Sequence, residues 1–120
     1  MARHSAINTI QIMKKDIVAS TAGYSDPIDI RDLSVNGGFG VSYTVAPASA
    51  AGTCGVTTLE YEMCGIYAGT YVACGTFATA GTGGESGVVA LTPPCAPFIR
   101  FKASVGAEGS SNITALLHTR

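Results

Sequence analysis

The stretch 56–64, VTTLEYEMC, alternates strictly. Leu59, Tyr61 and Met63 fall on one parity, and Thr58, Glu60 and Glu62 on the other. A period of two predicts a strand with one buried and one wet face. Gly65 and Gly69 bracket a short connection, and Tyr71 and Val72 restart a β-prone run over 70–74, so the two segments predict a hairpin. The same alternation recurs along the chain. Phe39, Val41, Tyr43 and Val45 share one parity after the turn signal Asn36-Gly37-Gly38. Ile99, Phe101, Ala103 and Val105 lie opposite Phe98, Arg100, Lys102 and Ser104, and Ile113, Ala115 and Leu117 form a last row. Residues 9–18, 28–30 and 87–91 predict three more strands, the first interrupted by a bulge or bend at Lys14-Lys15-Asp16. Loops are expected over 47–55 and 75–87, with Phe77 turned inward, and Pro93, Pro94 and Pro97 punctuate the approach to the strand at 98–105.

About eight short strands separated by turn signals, with no helical period, predict an all-β chain: a single antiparallel β-sandwich or jelly-roll over 9–120. Residues 1–8 are expected to form an extended N-terminal arm.

Charge changes the picture more than size does. Only 12% of the 120 residues are charged, about half the usual share for a soluble domain. Such a surface suits a protein whose faces are covered by neighbours in an assembly. The net charge of −1 supplies no basic footprint, so no nucleic-acid partner is expected. No apolar run approaches the roughly 20 residues that span a bilayer, so no membrane partner is expected either. The segment MARHSAIN lacks the apolar core of a secretory signal, which predicts synthesis in a cytoplasm.

Candidate chemistry is sparse. Cys54, Cys64, Cys74 and Cys95 make an even set that allows three pairings. Cys54 and Cys64 flank one predicted strand and would stand about 30 Å apart. Reduced packed thiols are the first reading, and disulfides or interface contacts formed after release into an oxidising medium the second. Zinc is disfavoured because no Cys-x-x-Cys spacing occurs and His4 and His118 are remote in sequence. The glycine-rich run 81–87, GTGGESG, lacks the Gly-Lys-Ser/Thr ending of a phosphate loop. Glu60 and Glu62 share a predicted wet face, where two carboxylates are solvated and not catalytic. Lys14 and Lys15 read as a solvated strand edge, and Arg31 with Asp32 as a surface ion pair. No nucleophile motif is present, so no enzyme activity, cofactor or metal is expected. Tyr24, Tyr67 and Tyr71 could form a carbohydrate platform, although tryptophan is absent.

The series GGFGVSYTV, VTTLEYEMC, TYVACGTFATAG, SGVVALTPPCAPFIRFKASV and NITALLH resembles small head- and tail-associated β-sandwich proteins of tailed bacteriophage virions. The resemblance covers roughly residues 28–118 and rests on framework motifs. The turn GIYAG and the four cysteines depart from it. It implies a virion structural role: a capsid decoration (cement) protein, or a tail or fibre component. Such a protein is expected to be made in the host cytoplasm, to bind the major capsid protein or other virion proteins, and to form a homo-oligomer, with a trimer favoured. Arg3, His4 and Ile7 of the arm, with Tyr67 and Tyr71, are the expected partner contacts. A carbohydrate-binding module for host attachment and a cellular sheath or pilus-like subunit are the alternatives.

Overall fold

Two β-sheets, each built from alternating segments of the kind described above, face one another. The structure is a computed structural model that describes residues 8–31, 39–48, 52–91 and 96–119. Arg3, His4, Ile7 and Cys95 lie outside the described residues. The strands are β1 (Asn8–Ile17), β2 (Ala22–Tyr24), β3 (Ile28–Asp29), β4 (Phe39–Pro47), β5 (Thr57–Cys64), β6 (Val72–Ala80), β7 (Glu85–Ala90), β8 (Phe98–Val105) and β9 (Ser111–Thr119). The first sheet has the order β1-β9-β4-β7 and the second β2-β8-β5-β6, with β3 also on β8. All pairings are antiparallel.

β2 and β3 pair with successive stretches of β8 and act as one interrupted strand. Counted so, the chain passes from one sheet to the other at nearly every connection, and among the described strands only β5 and β6 form a hairpin within a sheet. This winding is that of a jelly-roll.

The predicted inward rows are the observed ones. Phe39, Val41, Tyr43 and Val45 on β4 face Leu59, Tyr61 and Met63 on β5, with Ile99, Phe101, Ala103 and Val105 on β8, and Ile113, Ala115 and Leu117 on β9, all buried. Phe77 is turned inward, edge-on to Tyr43 at 6.4 Å and to Phe101 at 6.0 Å between ring centroids. One buried polar contact ties the sheets together. Thr57 Oγ1 on β5 lies 2.8 Å from Ser111 Oγ on β9, and it donates to the Gly55 carbonyl at 2.9 Å. A paired hydroxyl of this kind costs far less to bury than an orphaned one.

Four features differ from the sequence reading. β6 runs on to Ala80, through much of the expected loop, and the connection to β7 is a tight turn closed by Gly84 N–H donating to Gly81 O at 3.0 Å. Register shifts opposite Leu59/Glu60 and Tyr61/Glu62 place bulges at Phe77 and Cys74. They destroy the period of two that would have revealed the strand. The bulge in β1 falls between Gln11 and Met13, not at the lysines, and it lets both Ile12 and Met13 turn inward. Residues 22–24, where no strand was expected, form β2. Asn8, expected in the arm, already pairs with Thr119.

The outward rows of the two sheets are unlike. On the first sheet they are Thr9, Gln11, Lys14 and Asp16 of β1, Gly40, Ser42, Thr44 and Ala46 of β4, Ser86, Val88 and Ala90 of β7, and Asn112, Thr114, Leu116 and His118 of β9. On the second they are Thr58, Glu60, Glu62 and Cys64 of β5 beside Phe98, Arg100, Lys102 and Ser104 of β8.

Candidate binding face

The outer face of the second sheet holds the densest chemistry among the described residues. Antiparallel register sets Glu62 opposite Arg100 and Glu60 opposite Lys102, and sets Tyr24 of β2 opposite Lys102 on the other side. Arg100 Nε donates to Glu62 Oε1 at 2.8 Å, and Arg100 Nη2 donates to the same oxygen. The guanidinium lies between two rings, 4.4 Å from the centroid of Tyr24 and 4.7 Å from that of Tyr71. Arginine suits this position because its flat, weakly hydrated cation stacks on aromatic faces while its edge binds a carboxylate. Tyr71 Oη donates to the Tyr67 carbonyl at 2.8 Å, so the β5–β6 turn is pinned to the same cluster. Burial pushes the Tyr71 phenol above its ordinary pKa, the nearby Cys64 thiol adds to this, and Arg100 opposes it.

The row continues through Phe98, which meets Tyr67 edge-on at 5.8 Å and carries the Arg31 guanidinium 5.1 Å from its ring centroid. Arg31 pairs with Asp29, with Nη2 2.6 Å from Oδ2; Asp32, the partner expected from sequence, lies outside the described residues. Lys102 Nζ stands 3.9 Å from Glu60 Oε2. Glu62 and Phe98, both outward, are covered by this layer and count as buried.

The Arg31 side chain, hydrogen-bonded to Asp29, and the Arg31 backbone N–H together hold the Asp29 carboxyl at about 2, below its ordinary 3.8. A depressed carboxyl contributes its stabilisation above its unfolded pKa and loses it as pH falls through the folded one. That interaction is therefore complete above pH 3.8 and fades towards pH 2. Carbon-detected NMR titration is expected to place the Asp29 midpoint near 2 in the native chain and closer to 3.8 in Arg31→Ala, which removes the guanidinium but keeps the backbone N–H. A native midpoint at the ordinary value would refute the pairing.

The three tyrosines expected to form a platform do come together, but not as open rings. Arg100 occupies a face of Tyr24 and a face of Tyr71, and Phe98 abuts Tyr67. Tyr67, Ile66 and Val72 remain well exposed at the end of the sheet. Arg100 and Glu62 were missed as site residues. Both have outward parity, yet their adjacency depends on β8 lying beside β5, with two strands between them in sequence.

The cysteines separate by burial. Cys54 is fully buried, and its Sγ donates to the carbonyls of Gly81 and Thr82. Cys64 is half-buried, with Sγ accepting from Ile66 N–H, and Cys74 is exposed at its bulge. Among the described residues no three His, Cys, Asp or Glu side chains converge as metal ligands, and no helix is long and apolar enough to cross a membrane. A cleft of about 590 Å³ at one end of the sandwich is lined by Asp16, Val18, Thr53 and Glu108 among others. Both of its acids are engaged, Asp16 by Asn112 Nδ2 at 2.7 Å and Glu108 by Val56 N–H at 3.2 Å.

No family model matches the chain, and no curated protein matches it. Among solved structures it is similar to a chain in the structure of infectious bursal disease virus, Gx strain, with a TM-score of 0.57 and 13% identity. The match covers 94% of this chain and 31% of that one. The likeness is one of fold: nearly all of this chain follows a sandwich that is less than a third of the larger protein.

Proposed function

We propose that the chain is a non-enzymatic structural protein of a virus particle, decorating and stabilising the capsid surface as an oligomer. The observation that carries this reading is the jelly-roll winding, followed over 94% of the chain by a chain from a virus structure. Jelly-rolls recur in capsid and lectin domains. The second sheet's outer face supports a binding role. It presents tyrosine and arginine, the residues that dominate protein interfaces, already braced by Glu62 and by one another. Bracing lowers the ordering cost of association.

The test uses particles produced from the genome that encodes the chain. Mass spectrometry of purified particles should find the protein at a fixed ratio to the major capsid protein. Purified protein should rebind stripped particles to saturation. Tyr67→Ala, and separately deletion of residues 1–7, should each weaken rebinding by about tenfold, the order of one anchoring side chain. Absence of the protein from purified particles would refute the proposal. Tyr67, 53% exposed at the end of the face, also favours a second reading, carbohydrate binding during host attachment. Saturable glycan-array binding lost in Tyr67→Ala would select that reading.

A further inference from the structure

We propose that the exposed tip of the β5–β6 hairpin seats in the interfacial layer of a lipid bilayer. The inference rests on the tip itself and not on the virion reading.

The tip begins where the alternation of β5 ends. Residues 65–70, GIYAGT, are all exposed, and Val72 at the start of β6 is exposed beside them. Ile66 is 70% exposed, Val72 65% and Tyr67 53%. Three large side chains with apolar surface at one end of a hairpin gain by leaving water for an apolar phase. No Asp, Glu, Lys or Arg occurs between Glu62 and Glu85, so the turn and β6 would carry no charge into that phase. The cations of the adjoining face are matched, Arg100 by Glu62 and Arg31 by Asp29.

Backbone bonding favours lipid over a protein groove as the occupant. A groove can offer partners to the donors and acceptors of an inserted turn, whereas lipid tails offer none. A turn that enters lipid must bond its own groups, and this one does so at its two large residues. Ile66 N–H donates to Cys64 Sγ at 3.5 Å, and Ile66 O accepts from Gly69 N–H at 3.0 Å. Tyr67 O accepts from Tyr71 Oη at 2.8 Å. The turn is also preformed, which lowers the ordering cost of insertion. A Cβ at Gly69 would fall 2.5 Å from Cys64 Sγ, and Phe98 braces the Tyr67 ring edge-on at 5.8 Å. Tyrosine suits this depth, because its ring is apolar and its hydroxyl is polar.

The sequence lacks a run that could span a bilayer, and a tip lying in the interface needs none. With the adjoining cations matched, the tip has no preference for anionic headgroups. A single myristoyl chain half-saturates near about 0.1 mM lipid, and three side chains bury less hydrocarbon, so about 1 mM is expected here.

Cosedimentation of the isolated full chain with phosphatidylcholine vesicles tests this. The native chain is expected to bind, and to bind equally when part of the lipid is phosphatidylglycerol or when salt is raised. Ile66→Asp should weaken binding by about tenfold or more, and Val72→Asp should weaken it as well. Val88→Asp, at a position 78% exposed on the first sheet, is the control and should bind as the native chain does. Each variant's fold is checked by its unfolding midpoint. No native binding at about 10 mM lipid, binding retained in Ile66→Asp, or binding confined to anionic vesicles at low salt would overturn the proposal. So would loss of particle rebinding in Ile66→Asp without any vesicle binding, which would assign the tip to a protein neighbour. Particle content is read separately, so failure here leaves the virion reading untouched.

Discussion

Replacing Gly55 by alanine is expected to destabilise the chain by roughly 3 kcal/mol or more, at the upper end of what overpacking costs. Gly55 lies in the β4–β5 connection, stacked backbone against backbone on the β8–β9 connection. Its N–H donates to Gly109 O at 2.7 Å, and Gly106 N–H donates to Val56 O at 3.0 Å. A Cβ at Gly55 would fall on the carbonyl oxygen, carbon and nitrogen of Gly106. These are main-chain atoms held by hydrogen bonds, so no side-chain rotation relieves the clash. Both connections carry the chain between sheets, and separating them would also pull on the buried Thr57–Ser111 contact. Gly83→Ala is the control: a Cβ there meets nothing within 4 Å, and its effect should stay within about 0.5 kcal/mol. Urea unfolding of the two variants decides the matter. Equal midpoints would mean that the two connections can slide apart.

The second large effect is expected at Glu62. Its side chain is 10% exposed and that of Arg100 is 27% exposed. Glu62→Ala leaves the guanidinium between Tyr24 and Tyr71 without its carboxylate. Loss of one partner from a fully buried pair costs about 3–5 kcal/mol. Partial exposure of Arg100 lets water replace some of the loss, so about 1–3 kcal/mol is expected here. Glu62→Met combined with Arg100→Met should recover most of it, because two apolar chains of similar length leave no orphaned charge. A double variant no more stable than Glu62→Ala would show that the tyrosine stacking, and not the ion pair, holds the layer.

Much of the fold was legible because four strands keep an unbroken period of two. Parity alone gave the inward rows of β4, β5, β8 and β9, and those rows are the core. Where the alternation breaks, so did the reading. β6 has bulges at Phe77 and Cys74, and its glycine and small residues resemble a loop. β2 offers only Ala22, Gly23 and Tyr24, too few for a period to register. The binding face was half legible. The tyrosines could be picked out as residue types, and Glu62 and Arg100 as outward residues. Which strands are neighbours is a property of the winding, and no local pattern encodes it. Glu62 was accordingly expected to be solvated, whereas Arg100 and the tyrosines cover it.

The place of β9 bears on how the chain is made. It lies between β1 and β4, and its partner β1 was synthesised about a hundred residues earlier. Until residues 111–119 emerge, β1 and β4 have no strand between them, and the first sheet is two separate pieces with open edges. Contacts of such long sequence separation form slowly and leave apolar strands exposed while they wait. On a crowded message, the β9 of a neighbouring nascent chain could fill that gap as well as the chain's own, so dilution during synthesis should favour the monomeric arrangement over strand exchange.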